Sequence, residues 1–218
     1  MTLFLAFLFA FLPPQAPNET KHATDVYDIV HRVERLFAQM SDFSADFVQT
    51  DKNQLNRNQR ATGHLYLMKP RKMRWDYTSP DQQFVSDGKN VYFYVPADRQ
   101  VTKEAVKETF DERMPLMFLV GRSNLSNEFT KFEELTRKPF LDGTRVIRMY
   151  PKRKTDIKDV EIEVDPANYQ IRRLILDHVD GSQSDFILSN IQTNTGLKAG
   201  FFEFKVPQGV QVVQGIGQ

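Results

Sequence analysis

The 218-residue chain contains no cysteine. That absence removes disulfides, thiolate metal sites, a cysteine nucleophile and an N-terminal lipidated cysteine together. An excess of charge of one sign is missing too. The 29 Lys+Arg are matched by 28 Asp+Glu, for a formal net charge of +1, so no nucleic-acid partner is expected, because duplex binding usually demands a basic face. Histidine is sparse: His22, His31, His64 and His178 are the only four, and none pairs at i, i+4. Without an H-E-x-x-H a zinc hydrolase has no local support, and no metal site is expected. Nucleophile-elbow, P-loop and dinucleotide-binding signatures are absent as well. The carboxylates sit beside turns or alternate with apolar strand residues, the ordinary wet face of an antiparallel sheet. The expectation is a protein without a catalytic constellation and without a cofactor.

Long hydrophobic runs are also missing. The apolar run Leu3–Leu12 has ten residues, which reach about 15 Å as a helix, half a bilayer. Two prolines and a polar stretch follow. The run fits the h-region of a secretory signal, so residues 1–16 are read as a signal peptide and 17–218 as one domain. Four of the 18 phenylalanines lie in that run. Fourteen remain beyond it, with seven tyrosines and a single tryptophan, so the apolar payload rests on few, large side chains.

What is there changes period along the chain. In residues 24–40, Val26, Ile29, Val30, Val33, Leu36, Phe37 and Met40 make one helical stripe, with Thr24 as the expected N-cap. From Phe43 the period becomes two: Phe43, Ala45 and Phe47 share a face, as do Leu65 with Leu67 and Met73 with Trp75 and Tyr77. Asp87-Gly88 marks a tight hairpin. Residues 103–122 break the pattern with a dense apolar run around Pro115, read as one or two short helices laid on a sheet. Strands then recur about every ten residues, at 129–135, 144–150, 159–165, 169–177 and 184–192, and Phe201–Pro207 is read as a last strand. Glu161 and Glu163 alternate with Ile162 and Val164, which predicts one wet and one apolar face. The whole predicts a mainly β (α+β) chain whose antiparallel sheet curls on itself. Two basic clusters stand out, Lys69, Arg71, Lys72 and Arg74, and a second from Arg145 to Lys158. They are solvated faces or docking patches for an acidic partner. Periodicity alone does not separate a packed core from helices roofing an apolar cavity, though Met68, Met73, Met114 and Met117 favour a surface that repacks around variable ligands.

The order of motifs resembles one family, the periplasmic outer-membrane lipoprotein carriers of the LolA type. The carrying residues are Phe43-x-x-Asp46-Phe47-x-Gln49, then Gly63-x-Leu65-x-Leu67-x-Lys69-Pro70-x-x-Met73-Arg74-Trp75, Pro80-Asp81, and Val85-Ser86-Asp87-Gly88-Lys89. They continue with Tyr92-Phe93-Tyr94-x-Pro96, Gln100-Val101-Thr102, Pro115–Leu119 and Phe202-x-Phe204-x-Val206-Pro207. No one piece is specific; their order and spacing are, over roughly residues 24–212.

The resemblance implies an open, β-barrel-like antiparallel sheet with an N-terminal helix and a helical lid over an apolar cavity. It implies a periplasmic chaperone, monomeric, that takes acylated lipoproteins from an inner-membrane lipoprotein-releasing ABC transporter to an outer-membrane receptor lipoprotein. A lipid or lipoprotein sensor of the same fold is the competing expectation. Under this reading Phe43, Phe47, Leu65, Leu67, Met73, Trp75, Tyr77, Phe93, Leu116, Met117, Leu119 and Val120 line the acyl-chain cavity. Family members carry an arginine before the corner proline that holds the lid through helix carbonyls; Lys69 stands there and is the candidate latch. Arg71, Lys72 and Arg74 are the candidate partner-docking residues.

Overall fold

The computed structural model describes residues 25–55, 57–106 and 125–215. Its first element is helix α1, Val26–Gln39. The helix begins where Asp25, not Thr24, turns its carboxylate onto the amide of Tyr27; an acid at that place also complements the helix dipole. The stripe read from the sequence buries Ile29, Val30, Val33 and Phe37. At about 1.5–3 kcal/mol for each fully buried side chain, this face, and not helix propensity, holds α1 in place.

Twelve strands follow: β1 (Asp42–Lys52), β2 (Asn58–Met68), β3 (Lys72–Ser79), β4 (Asp81–Asp87), β5 (Asn90–Val95), β6 (Gln100–Ala105), β7 (Phe129–Leu135), β8 (Arg145–Pro151), β9 (Ile157–Val164), β10 (Ile171–His178), β11 (Gln183–Thr193) and β12 (Gln211–Gln214). A four-residue helix α2, Leu125–Glu128, precedes β7. The strands form one sheet in the order β12-β6-β5-β4-β3-β2-β1-β11-β10-β9-β8-β7. Two up-and-down meanders, β1 to β6 and β7 to β11, meet where β1 pairs with β11. All pairings are antiparallel except β12 on β6. The sheet is open, with β12 and β7 at its edges.

Register assigns the two faces. Ala45 pairs with Leu65, Leu65 with Trp75, Trp75 with Phe84, and Phe84 with Phe93. These positions form one apolar band across five strands, continuous with Phe186 and Leu188 of β11, and α1 closes over part of it. The reverse face is covered differently. Glu161 and Glu163 do alternate with Ile162 and Val164, but their face is buried and not wet: Glu163 is wholly shielded from solvent. Its carboxylate accepts hydrogen bonds from the amides of Phe140 and Leu141, from Thr144 and from Arg173. Burial opposes its charge, and these donors outweigh that and hold its pKa below the usual glutamate value. A buried carboxylate is tolerated when every lone pair is met.

The C-terminal segment covers the other half of the reverse face. Residues expected to form a strand from Phe201 instead make a 3-10 turn, Ala199–Phe202, then run without strand pairing to a turn at 208–209 that leads into β12. Phe201 packs edge-on against Tyr66 and under the Arg74 guanidinium, and Phe204 stacks on Tyr92. Their side chains seal the sheet from outside while no ladder partner is available for their backbone. The segment is tied down at its start by Asp42, whose carboxylate accepts from the Thr195 amide (2.7 Å), the Thr195 hydroxyl (2.9 Å) and the Gly196 amide (2.9 Å).

Burial works against the Asp42 charge, yet these bonds hold its pKa below the ordinary aspartate value. The clasp is therefore complete above the unfolded pKa of about 4 and is lost as pH falls through the lower, folded value. Asp42→Ala is expected to cost about 1–2 kcal/mol at neutral pH, since it removes three hydrogen bonds to a charged acceptor that tie the segment to the sheet. Denaturant unfolding at pH 7 and pH 3 measures this, and the gap between wild type and variant narrows at the lower pH.

Candidate functional site

The concave face is not filled. A cavity of about 320 Å³ is lined by Trp75, Tyr77, Phe84, Val91, Phe93, Leu176 and Phe186, with Gln49, Thr102, Glu104 and Ser184 contributing polar groups. Its walls show how far the sheet curls. Thr102 lies on β6 and Leu176 on β10, seven strand spacings apart in the sheet order. In a flat sheet that separation is roughly 34 Å at ~4.8 Å per strand. Both line one small cavity, so the two meanders wrap toward each other.

The cavity wall is aromatic and locally rigid. Trp75 lies 4.7 Å from Phe47 and 5.4 Å from Phe186, centroid to centroid, both edge-on, and Tyr77 stands edge-on to Phe47 at 4.9 Å. Such pairs add about 0.5–1.5 kcal/mol beyond area burial. Gly63 makes the arrangement feasible. A β-carbon there would stand 2.2 Å from the Asp76 carbonyl oxygen and 2.9 Å from the Phe47 ring, so only glycine lets β2 bring the Phe47 ring beneath Trp75 and Tyr77. Tyr77 donates to Gln49 Oε1 at 2.8 Å, and burial together with the nearby Asp51 charge pushes its pKa far up.

The expected cavity residues divide into three groups. Trp75, Tyr77 and Phe93 lie on the wall. Phe43, Phe47, Leu65, Leu67 and Met73 are fully buried in the core that backs it. Leu116, Met117, Leu119 and Val120 lie outside the described residues, as does the expected helical lid. Gln49, Phe84, Val91, Thr102, Glu104, Leu176, Ser184 and Phe186 were not anticipated. Phe84, Phe93 and Thr102 follow from Trp75 by cross-strand register; Leu176 and Phe186 require knowing that β11 returns to pair with β1.

Lys69 follows β2 at the corner beside the helix. Its ammonium donates to the carbonyls of Phe37 and, at 2.8 Å, Ala38. These carbonyls belong to the last turn of α1, which carries no basic residue of its own, so Lys69 supplies the cation that the negative end of the helix dipole favours. Burial pulls its pKa below the usual lysine value. The neighbouring basic groups face elsewhere. Lys72 donates to the Asp87 carbonyl at 2.7 Å, and Arg74 pairs with Asp76 at 2.7 Å while its head covers Phe201. In the second basic cluster, Arg148 pairs with the buried Glu161 and Arg145 with Glu134. Asp159, Glu161 and Asp177 bring carboxylate oxygens within 4.8 Å of one another, but on the face turned away from the cavity, where Arg148 and Arg137 sit on Glu161.

Comparison with known proteins converges on one family. The sequence model described as "Outer membrane lipoprotein carrier protein LolA" matches residues 38–205. An outer-membrane lipoprotein carrier protein of Aeromonas salmonicida is 31% identical over 192 residues, covering 85% of this chain and 88% of that protein. One of Haemophilus influenzae is 32% identical over 188 residues, covering 85% and 86%. Among solved structures, an uncharacterized conserved protein from Thermus thermophilus superposes with a TM-score of 0.55 at 14% identity, over 86% of this chain and 98% of that one, which supports the fold alone. No helix among the described residues is long and apolar enough to cross a membrane. With a match over most of its length, an open curled antiparallel sheet and an apolar cavity on the concave face, the chain belongs to the LolA family of outer-membrane lipoprotein carrier proteins.

Proposed function

We propose that this protein acts in the periplasm as a non-enzymatic carrier that shields the acyl chains of lipoproteins on its concave face, between an inner-membrane releasing transporter and an outer-membrane receptor. The observation that carries the reading is the cavity itself, in which aromatic and aliphatic walls from both meanders converge. The energetic need is large. Three acyl chains hold on the order of 40 methylenes, and at ~0.8 kcal/mol each their exposure costs up to roughly 30 kcal/mol.

The size of the cavity adds a constraint. An apolar cavity of about 150 Å³ takes up one benzene, so by that measure about 320 Å³ holds on the order of a dozen carbons. That is one chain or less. The conformation described is thus a contracted one, and loading must part the walls. Lys69 is the candidate latch against that movement, because it bonds the β2–β3 corner to the end of α1. Contraction also aids release: a ligand that must open the cavity binds with an affinity reduced by the fraction of open protein. Arg71 and Lys72, at the same corner, are the proposed contacts for the transporter or receptor, with Arg74 holding the C-terminal segment behind them.

Phe93, on the rim of the cavity and partly exposed, tests the reading without threatening the core. Phe93→Glu is expected to weaken binding of a palmitoylated peptide at least tenfold in calorimetric titration, while its circular dichroism spectrum stays that of the folded sheet. Wild-type binding should carry the negative heat-capacity change of apolar burial. Affinity untouched by the substitution contradicts the reading. For Lys69, replacement by Met removes the helix-end cation and should destabilise the free protein by about 1–2 kcal/mol while tightening the acyl probe. Lys69→Arg should restore the stability; equal acyl affinity in all three proteins would remove the latch role.

A further inference from the structure

The apolar cavity has a polar neighbour. Ser184, on its wall, also lines a second hollow of about 170 Å³ formed by Asp51, Lys52, Asn53, Arg57, Gln59, Ser182 and Gln183. The two spaces thus share Ser184 as a wall residue, one apolar and one polar. The second lies where the β1–β2 and β10–β11 turns approach, and those turns are joined by a hydrogen bond from Gln54 to Asp180 at 3.2 Å. A hydrogen-bonded relay runs through the wall between the two. Tyr77 donates to Gln49 Oε1 at 2.8 Å, and Gln49 Nε2 donates to Asp51 Oδ2 at 2.7 Å. The other carboxylate oxygen, Asp51 Oδ1, is shielded from solvent and accepts no hydrogen bond among the described residues. An unmet buried acceptor on an ionisable group is costly, and a ligand N–H restores what is lost. The relay is one-directional: each donor is spent on the next acceptor, and the free capacity at its end is for a donor.

We propose that the polar hollow receives the backbone of an acylated peptide as it leaves the cavity, with Asp51 Oδ1 accepting from a peptide N–H just after the acylated residue. This rests on the acyl-carrier reading above and specifies which end of the cavity the cargo's polypeptide exits by. The lining holds Lys52 and Arg57 beside Asp51, so it offers a peptide an acceptor for its N–H and donors for its carbonyls, whereas a phosphodiester brings acceptors alone and leaves Asp51 Oδ1 unmet.

The test uses the wild-type chain and an N-palmitoylated peptide carrying a photoreactive side chain two residues after the acylated one, with crosslinked residues mapped by mass spectrometry. Crosslinks confined to residues 51–59 and 182–184 are expected. Crosslinks at Lys69–Arg74 or around Lys89 overturn the exit assignment while leaving the cavity reading intact; no crosslinks at all overturn both. A second arm compares the palmitoylated peptide with palmitic acid methyl ester and a dipalmitoyl phospholipid. Wild type should prefer the peptide at least fivefold over either, and Asp51→Ala should bring peptide and methyl ester to parity. Equal affinities in wild type, or a preference for the phospholipid, overturn the proposal.

Discussion

The structure depends on one constraint: a band of apolar side chains, in register across five strands from Ala45 to Phe93 and continued on β11, faces inward on a sheet too sharply curled to be filled by its own residues. Burial of that band drives the fold, and its curvature brings β6 and β10 to one cavity. A flatter sheet with the same pattern would simply pack its helix and leave no space. Among the described residues α1 covers only part of the concave face, and the cavity lies in the remainder.

The reverse face must then be sealed by other means, and the two halves do so differently. On the β8–β11 side the 136–144 loop lays its amides on the buried Glu163, and guanidinium groups of Arg148 and Arg173 neutralise the carboxylates beside them. On the β2–β6 side the C-terminal segment lays Phe201 and Phe204 over Tyr66 and Tyr92. Ion networks and aromatic straps thus hold the sheet from its outer face, beside the support α1 gives part of its inner one. That is what a carrier needs if its interior is to be occupied by different molecules at different times.

Much of this was legible in the residues, for identifiable reasons. The helix stripe from Val26 to Phe37 and the period-two runs at Phe43–Phe47 and Met73–Tyr77 are local patterns, and local patterns survive folding. Register carried the site further than pattern: once Trp75 is placed inward, pairing places Phe84 and Phe93 beside it. Leu176 and Phe186 stayed hidden because no local signal shows that β11 closes against β1. Glu161 and Glu163 read as a wet face because alternation reports which residues share a side and not what later covers that side. Phe201–Phe204 read as a strand because aromatic alternation also suits a segment that packs on a sheet without joining it. Lys69 was singled out by family resemblance, and its bonds to the end of α1 depend on a corner that spacing alone does not bring to the helix.

The central claim is that acyl chains occupy the concave face beside Trp75. Since Trp75 is the only tryptophan in the chain, quenching of its emission by a palmitoyl peptide brominated along the acyl chain tests this most directly. The account predicts saturable quenching at the stoichiometry of binding, stronger for bromine on the chain than for bromine on the peptide. Full binding with Trp75 emission left unquenched by the brominated chain would contradict it.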